Sequence, residues 1–81
     1  MQDDERKLLI DQLARSFDAL SLGEKMIVKH ALAAPTHHPL TGKTFESFSE
    51  ILESAADSTL LTLKVDFEYN GQLLPPLNQF H

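Results

Sequence analysis

Residues 60–71 read Leu-Leu-Thr-Leu-Lys-Val-Asp-Phe-Glu-Tyr-Asn-Gly, and this stretch decides the predicted fold class. From Leu61 onward, apolar residues alternate with polar ones, and a period of two is typical of a β-strand with one buried face. Asn70-Gly71 follows, and both residues accept the positive φ angles of a type I′ turn. The stretch therefore predicts a strand over 61–69 and a tight hairpin turn after it.

The strand that returns from this turn is predicted to be short and to lie at an edge. In the hairpin register, Leu74 joins the buried face and Leu73 points away from it. Pro75-Pro76 ends the strand, because proline has no N–H to donate to a ladder. Residues 75–81 then form an apolar, proline-containing tail, which serves either as an interaction segment or as a lid over the core.

Three helices are predicted before the strand. The apolar residues of the first helix, at about 4–20, recur every three or four positions. Ser21-Leu22-Gly23-Glu24 has the capping-box pattern that starts a second helix, which Pro35 ends. The third helix, at about 45–57, has the cleanest amphipathic pattern in the chain. Because the turn between the first two helices is short, these helices are expected to pack together as the nucleus of the core.

The predicted fold class is α+β, with three helices followed by a two-stranded antiparallel hairpin. Eighty-one residues are enough for one small domain, which we expect to comprise residues 1–81. The order of elements is that of a winged-helix domain. This analogy concerns the fold alone and implies no function by itself.

Charge is distributed unevenly along the chain, whose formal net charge is −5. Residues 1–20 contribute −2, residues 21–43 contribute +2, and residues 44–81 contribute −5. An acidic surface repels the phosphate backbone of DNA or RNA. The third helix, which would enter the DNA groove of a winged-helix complex, carries acidic residues on its solvent face. The charge pattern therefore disfavours nucleic-acid binding.

The sequence contains no motif for catalysis or metal binding. The chain has no cysteine, which excludes thiolate zinc sites, and His30, His37 and His38 do not make up a ligand set. Gly42-Lys43 is not the end of a phosphate-binding loop, because the glycine required five residues earlier is absent. No serine lies in a nucleophile turn. The sequence predicts no enzyme activity, no cofactor and no metal.

Protein binding is the function that remains, and the interpretation is a small regulatory or adaptor domain that binds another protein and itself. The unpaired edge of the hairpin suits β-augmentation or pairing into a homodimer. An acidic face suits a partner with a basic surface. The predicted partner-binding residues are three apolar anchors and three acidic steering residues: Leu73, Leu77, Phe80, Glu46, Glu50 and Glu53.

The alternative function is a nucleic-acid-binding regulator of the winged-helix type that uses the second helix and the 35–44 loop. Its candidate anion-binding residues are Lys25, Lys29 and Lys43. We expect a cytoplasmic location and no membrane partner. The N-terminus is acidic, unlike a signal peptide, and no apolar run approaches the roughly 20 residues that cross a bilayer.

Overall fold

The computed structural model of the chain describes residues 1–31 and 47–75, and within these ranges every regular element is an α-helix. Helices account for 75% of these residues. The α+β class, the terminal hairpin and the winged-helix order of elements are therefore wrong, and this part of the chain is all-α. The four helices are α1 (Asp3–Asp18), α2 (Leu22–Ala31), α3 (Phe48–Glu53) and α4 (Asp57–Tyr69).

Helix α4 takes the place of the predicted strand because its apolar residues also satisfy a helical repeat. Leu60, Leu63 and Phe67 stand at i, i+3 and i+7, and all three are buried. The alternation that predicted a strand included Leu63 and Phe67 but left out Leu60. Burial of the helical stripe against α1 outweighs the strand preference of the valine and the aromatic residues nearby.

Asn70 and Gly71 end α4 and do not form a hairpin turn. Gly71 has a φ of 69°, in the left-handed region that favours glycine. The Gly71 N–H donates to the carbonyl of Glu68 at 3.1 Å, and the Gln72 N–H donates to that of Phe67 at 2.8 Å. This pair of bonds is the Schellman motif of a helix C-terminus. A turn and a helix end need the same positive φ, so the Asn-Gly pair does not distinguish them.

Helix α1 is the centre of the described core and packs principally against α3 and α4. Phe17 of α1 stacks on Phe48 of α3, with ring centroids 3.8 Å apart and ring planes 7° apart. From α2, Val28 is only half-buried at the margin of this cluster. The expectation that the first two helices form the nucleus is therefore wrong for this part of the chain.

The start of α2 agrees with the sequence. The Ser21 Oγ accepts from the Glu24 N–H at 3.3 Å, and the Glu24 carboxylate accepts from the Ser21 N–H at 3.1 Å. The Ser21 amide, and then its hydroxyl, hold the pKa of Glu24 below its ordinary value. The predicted capping box is confirmed.

Arg6 of α1 joins the end of α3 to the start of α4. Its guanidinium donates to the carbonyls of Glu53 at 2.9 Å and Ala55 at 2.6 Å, which a helix end leaves without internal partners. It also donates to Asp57 Oδ1 at 2.6 Å. The helix predicted at 45–57 is therefore too long, because α3 ends at Glu53 and Asp57 already belongs to α4.

Phe67→Ala and Val65→Ala distinguish a helix from a strand over these residues. Phe67 is 2% exposed, and we expect its truncation to lower the free energy of unfolding by about 3–5 kcal/mol. Val65 is 62% exposed, and we expect its truncation to cost less than about 0.5 kcal/mol. Urea denaturation followed by circular dichroism measures both. Since a strand would bury both residues on one face, comparable costs would contradict the helix.

Asp57→Asn tests the ion pair with Arg6. The Arg6 guanidinium, and then the amino terminus, lower the pKa of Asp57 from its ordinary value of 3.8. A lowered carboxyl pKa stabilises the fold above the ordinary value, and this contribution is lost as the pH falls through the lowered pKa. At about pH 6 we expect the wild type to have a higher free energy of unfolding than Asp57→Asn. This difference should disappear as the pH is lowered to about 2. Urea denaturation at each pH measures it.

Asp18→Asn is the matched control, because Asp18 is exposed on α1 and forms no ion pair with any described residue. We expect its stability relative to the wild type to change little with pH. The same pH profile for both variants would contradict a specific role of the Arg6 pair.

Candidate protein-binding surface

An apolar ridge lies along the outer face of α4. Leu61, Val65 and Tyr69 stand at i, i+4 and i+8, and they are 49%, 62% and 90% exposed. We call these three side chains the α4 ridge, which is about 12 Å long at 1.5 Å of rise per residue. Single exposed apolar residues are common on proteins, but a row of large ones is typical of a contact surface.

The α4 ridge exists because α4 carries more apolar residues than its buried face accepts. Leu60, Leu63 and Phe67 face the core and complete a helical stripe. The remaining large apolar residues lie on the opposite side of the helix, where no described element covers them. The alternating run that suggested one buried strand face thus divides into a buried and an exposed helix face.

The flank of the α4 ridge nearer α1 carries Lys64 and Glu68. Lys64 and Leu61 line a groove of about 520 Å³ together with Leu8 of α1, which is 38% exposed and extends the apolar surface. Within the ranges that the structure covers, neither Lys64 nor Glu68 forms an ion pair.

The opposite flank carries Thr62 and Asp66, which line a groove of about 440 Å³ between α2 and α4. Ile27 and Val28 form the α2 wall of this groove. Asp66, like the charged residues of the other flank, has no ion-pair partner among residues 1–31 and 47–75. The ridge is therefore bordered on both sides by charges without an ion-pair partner in the described part of the chain.

Residues 72–75 lie against α1 where the returning strand was predicted, and they form neither a helix nor a strand. We call this segment the α1 strap. The Oγ of Ser16, which is fully buried, accepts from the Leu74 N–H at 2.9 Å and donates to the Gln12 carbonyl at 2.7 Å. The Gln12 side chain in turn donates to the Leu74 carbonyl at 2.8 Å. These bonds satisfy the N–H and the carbonyl of Leu74 without a neighbouring strand.

Leu73 lies in the α1 strap, half-buried against the core. The hairpin register that pointed it away from the core no longer applies. Leu77 and Phe80 lie outside the described residues, as does the tail from residue 76 onward. The two alternatives for the tail, lid and interaction segment, both stay predictions.

The predicted acidic residues fall on and around α3. Glu53 is exposed and lines a shallow groove with Lys7 of α1, while Glu50 is half-buried and its amide donates to the Ser47 Oγ at 3.4 Å. Glu46 lies outside the described residues. Sequence reasoning placed the acidic surface on the third helix and missed the role of Asp66 and Glu68 beside the α4 ridge.

The lysines proposed for anion binding lie over one aromatic ring. The Nζ atoms of Lys25 and Lys29 are 5.7 and 5.8 Å from the ring centroid of Phe17, within cation–π range. Lys43 and the 35–44 loop lie outside the described residues. The winged-helix form of the nucleic-acid alternative is overturned together with the hairpin.

Residues 1–31 and 47–75 contain neither a metal-ligand cluster nor a membrane span. In these ranges no three histidine, aspartate or glutamate side chains gather as ligands of one metal ion would. His30 is exposed on α2, and His37 and His38 fall outside the ranges. None of the helices there has both the length and the apolarity that crossing a bilayer requires.

Comparison with protein-family models, with curated protein sequences and with solved structures finds no match to this chain. The candidate site therefore depends on the geometry of the chain itself. The sequence did contain a signal for the α4 ridge, because Leu61, Val65 and Tyr69 follow a spacing of four. That signal was hidden by the stronger alternation over the same residues.

Ser16→Ala tests the attachment of the α1 strap. The variant removes the acceptor of the Leu74 N–H, and we expect the free energy of unfolding to fall by about 1–3 kcal/mol. Hydrogen exchange at the Leu74 amide should become faster. Ser54→Ala is the control, since that hydroxyl is exposed and donates only to the Ile51 carbonyl. Unchanged exchange at Leu74 in Ser16→Ala would contradict the assigned role of Ser16.

Proposed function

We propose that the protein is a small regulatory or adaptor domain that binds another polypeptide through the α4 ridge. The observation that carries the proposal is the exposure of Leu61, Val65 and Tyr69 in one row on a helix that is otherwise well packed. Full burial of such a side chain contributes about 1.5–3 kcal/mol. Tyrosine is also frequent among the residues that dominate binding energies.

The shape of the α4 ridge favours a helical partner. The ridge follows one i, i+4 row of side chains, and such rows pack into the grooves between the side-chain rows of another helix. A partner with an apolar stripe of about the same 12 Å length would cover all three side chains. The proposed contact therefore uses a helix face, where the sequence had suggested a strand edge.

The charges beside the ridge favour basic side chains at the margins of the partner. Asp66 and Glu68 lie on opposite flanks and have no ion-pair partners in the described residues. Complementary charge at the rim of an interface speeds association and selects the partner more than it adds affinity. The proposed partner is thus an apolar helix with lysine or arginine along its edges.

The proposed role is non-enzymatic and needs no cofactor, and we place it in the cytoplasm. The absence of cysteine from the chain is compatible with a reducing compartment. The α4 ridge supports a binding role. The grooves beside it are lined by the polar and charged residues that border the ridge.

Photo-crosslinking tests this function. The photoreactive residue p-benzoylphenylalanine replaces Tyr69, and the protein is illuminated in cells of its native host. We expect adducts with a small number of defined polypeptides, identified by mass spectrometry. Adding Val65→Asp should abolish them, because a charge in the middle of the ridge opposes burial. Circular dichroism checks that the double variant keeps its helices.

The matched control carries the same photoreactive residue at Asp18, which is exposed on α1 and distant in sequence from the ridge. Adducts that are identical for positions 18 and 69, or that survive Val65→Asp, would contradict binding through the α4 ridge. An adduct of twice the mass of the chain reports self-association.

A further inference from the structure

We infer that Asn70 is a site of spontaneous deamidation and that the hydrogen bonds at the end of α4 control its rate. The chain has two asparagines, Asn70 and Asn78, and only Asn70 precedes a glycine. Glycine has no side chain to obstruct the attack of its backbone nitrogen on the preceding asparagine. The inference does not depend on the proposed function, because the reaction involves only this chain and water.

The reaction converts the side-chain amide of Asn70 into a carboxylate in two steps. The backbone nitrogen of Gly71 attacks the Cγ atom of Asn70, and the new N–Cγ bond closes a succinimide ring. The Cγ–Nδ2 bond breaks, and the amide nitrogen leaves as ammonia with the proton that the Gly71 nitrogen gives up. Water then opens the ring at either of its carbonyls, which yields aspartate or isoaspartate. No atom is oxidised or reduced.

The structure leaves both reacting residues accessible. Asn70 and Gly71 are exposed at the end of α4. Apart from the adjoining residues, no atom of the described chain lies within 4 Å of the position that a Cβ on Gly71 would occupy. Water therefore reaches the amide carbon, and the ring has room to form.

The folded conformation of Asn70 holds the reacting atoms apart. Its ψ angle is 2°. Ring closure requires rotation about this bond by about a third of a turn, because the Cβ and the nitrogen of a residue are separated by that angle around the tetrahedral Cα. The rotation takes the Gly71 N–H away from the Glu68 carbonyl, to which it donates at 3.1 Å. The ring therefore forms only after the Schellman motif and the last turn of α4 have opened.

The product weakens the turn that protected the reactant. The Asn70 Nδ2 donates to the Asp66 carbonyl at 2.9 Å, and deamidation removes this donor. The new carboxylate lies at the negative end of the helix dipole and four residues from the Asp66 carboxylate, and both arrangements are unfavourable. Deamidation therefore loosens the end of α4 beside Tyr69 of the α4 ridge.

Peptide mass spectrometry of aged protein tests the site. The full chain is kept warm at mildly alkaline pH for several weeks, in its native state and in guanidinium chloride. We expect the peptide that contains Asn70 to gain about one dalton, and the reaction to be about tenfold faster in the unfolded protein, where no turn must open. Asn78 should react more slowly in both samples, because the side chain of Gln79 obstructs attack.

Asn70→Gln is the matched control, since it keeps a neutral amide but would have to close a larger ring. We expect no gain of mass at this position in the variant. A native wild type without modification at Asn70 overturns the site, and equal rates in the native and unfolded protein overturn the control by hydrogen bonding.

Asn70→Asp tests the effect of the product. Hydrogen exchange at the Gly71 amide should be about two- to tenfold faster than in the wild type, whereas Asn70→Gln should leave it nearly unchanged. Exchange in Asn70→Asp that matches the wild type overturns the proposed weakening of the turn. Circular dichroism confirms that each variant keeps its helices.

Discussion

Leu60, Leu63 and Phe67 of α4 pack on the apolar face of α1, and the other features of the structure depend on this contact. The contact fixes the rotation of α4 about its own axis. Once that rotation is set, Leu61, Val65 and Tyr69 have no place in the core and must lie on the outside. The candidate binding surface is therefore a direct consequence of the packing that stabilises the fold.

Two polar attachments hold α4 on α1, one near each end of the helix. At the start of α4, Arg6 satisfies the carbonyls between α3 and α4 and pairs with Asp57. Beyond its end, Ser16 and Gln12 bind the backbone of the α1 strap. Buried polar groups without partners destabilise a fold, so these bonds also fix where the chain enters and leaves α4. Among the described residues, no element covers the apolar surface between the two attachments.

The elements that could be predicted from the sequence are those determined by local interactions. The helical stripe of α1 and the capping box of α2 depend on residues a few positions apart, and both are present. The secondary structure of residues 61–69 depends on packing against α1, which lies about fifty residues earlier in the chain. Local sequence patterns contain no information about such a distant contact. Leu60 carried the information needed, because it completes a helical stripe with Leu63 and Phe67.

The candidate site was harder to predict than the fold. A strand edge and a helix face bind different partners. Because a strand was predicted where α4 lies, the predicted binding surface was wrong as well. Leu73 illustrates this, because the hairpin register exposed it whereas the α1 strap packs it on the core. The acidic character of the C-terminal half remained useful, since it includes both carboxylates beside the α4 ridge.

The order of the helices along the chain has a consequence for biosynthesis. Helix α1 is translated first, yet its principal partners α3 and α4 emerge from the ribosome much later. Until then its apolar stripe lacks these two partners, and α2 supplies no fully buried residue to the described core. The contacts that bury this stripe in the described core therefore form only after α3 and α4 have been synthesised. During that interval Leu9, Leu13 and Phe17 lack the α3 and α4 side chains that bury them in the folded protein.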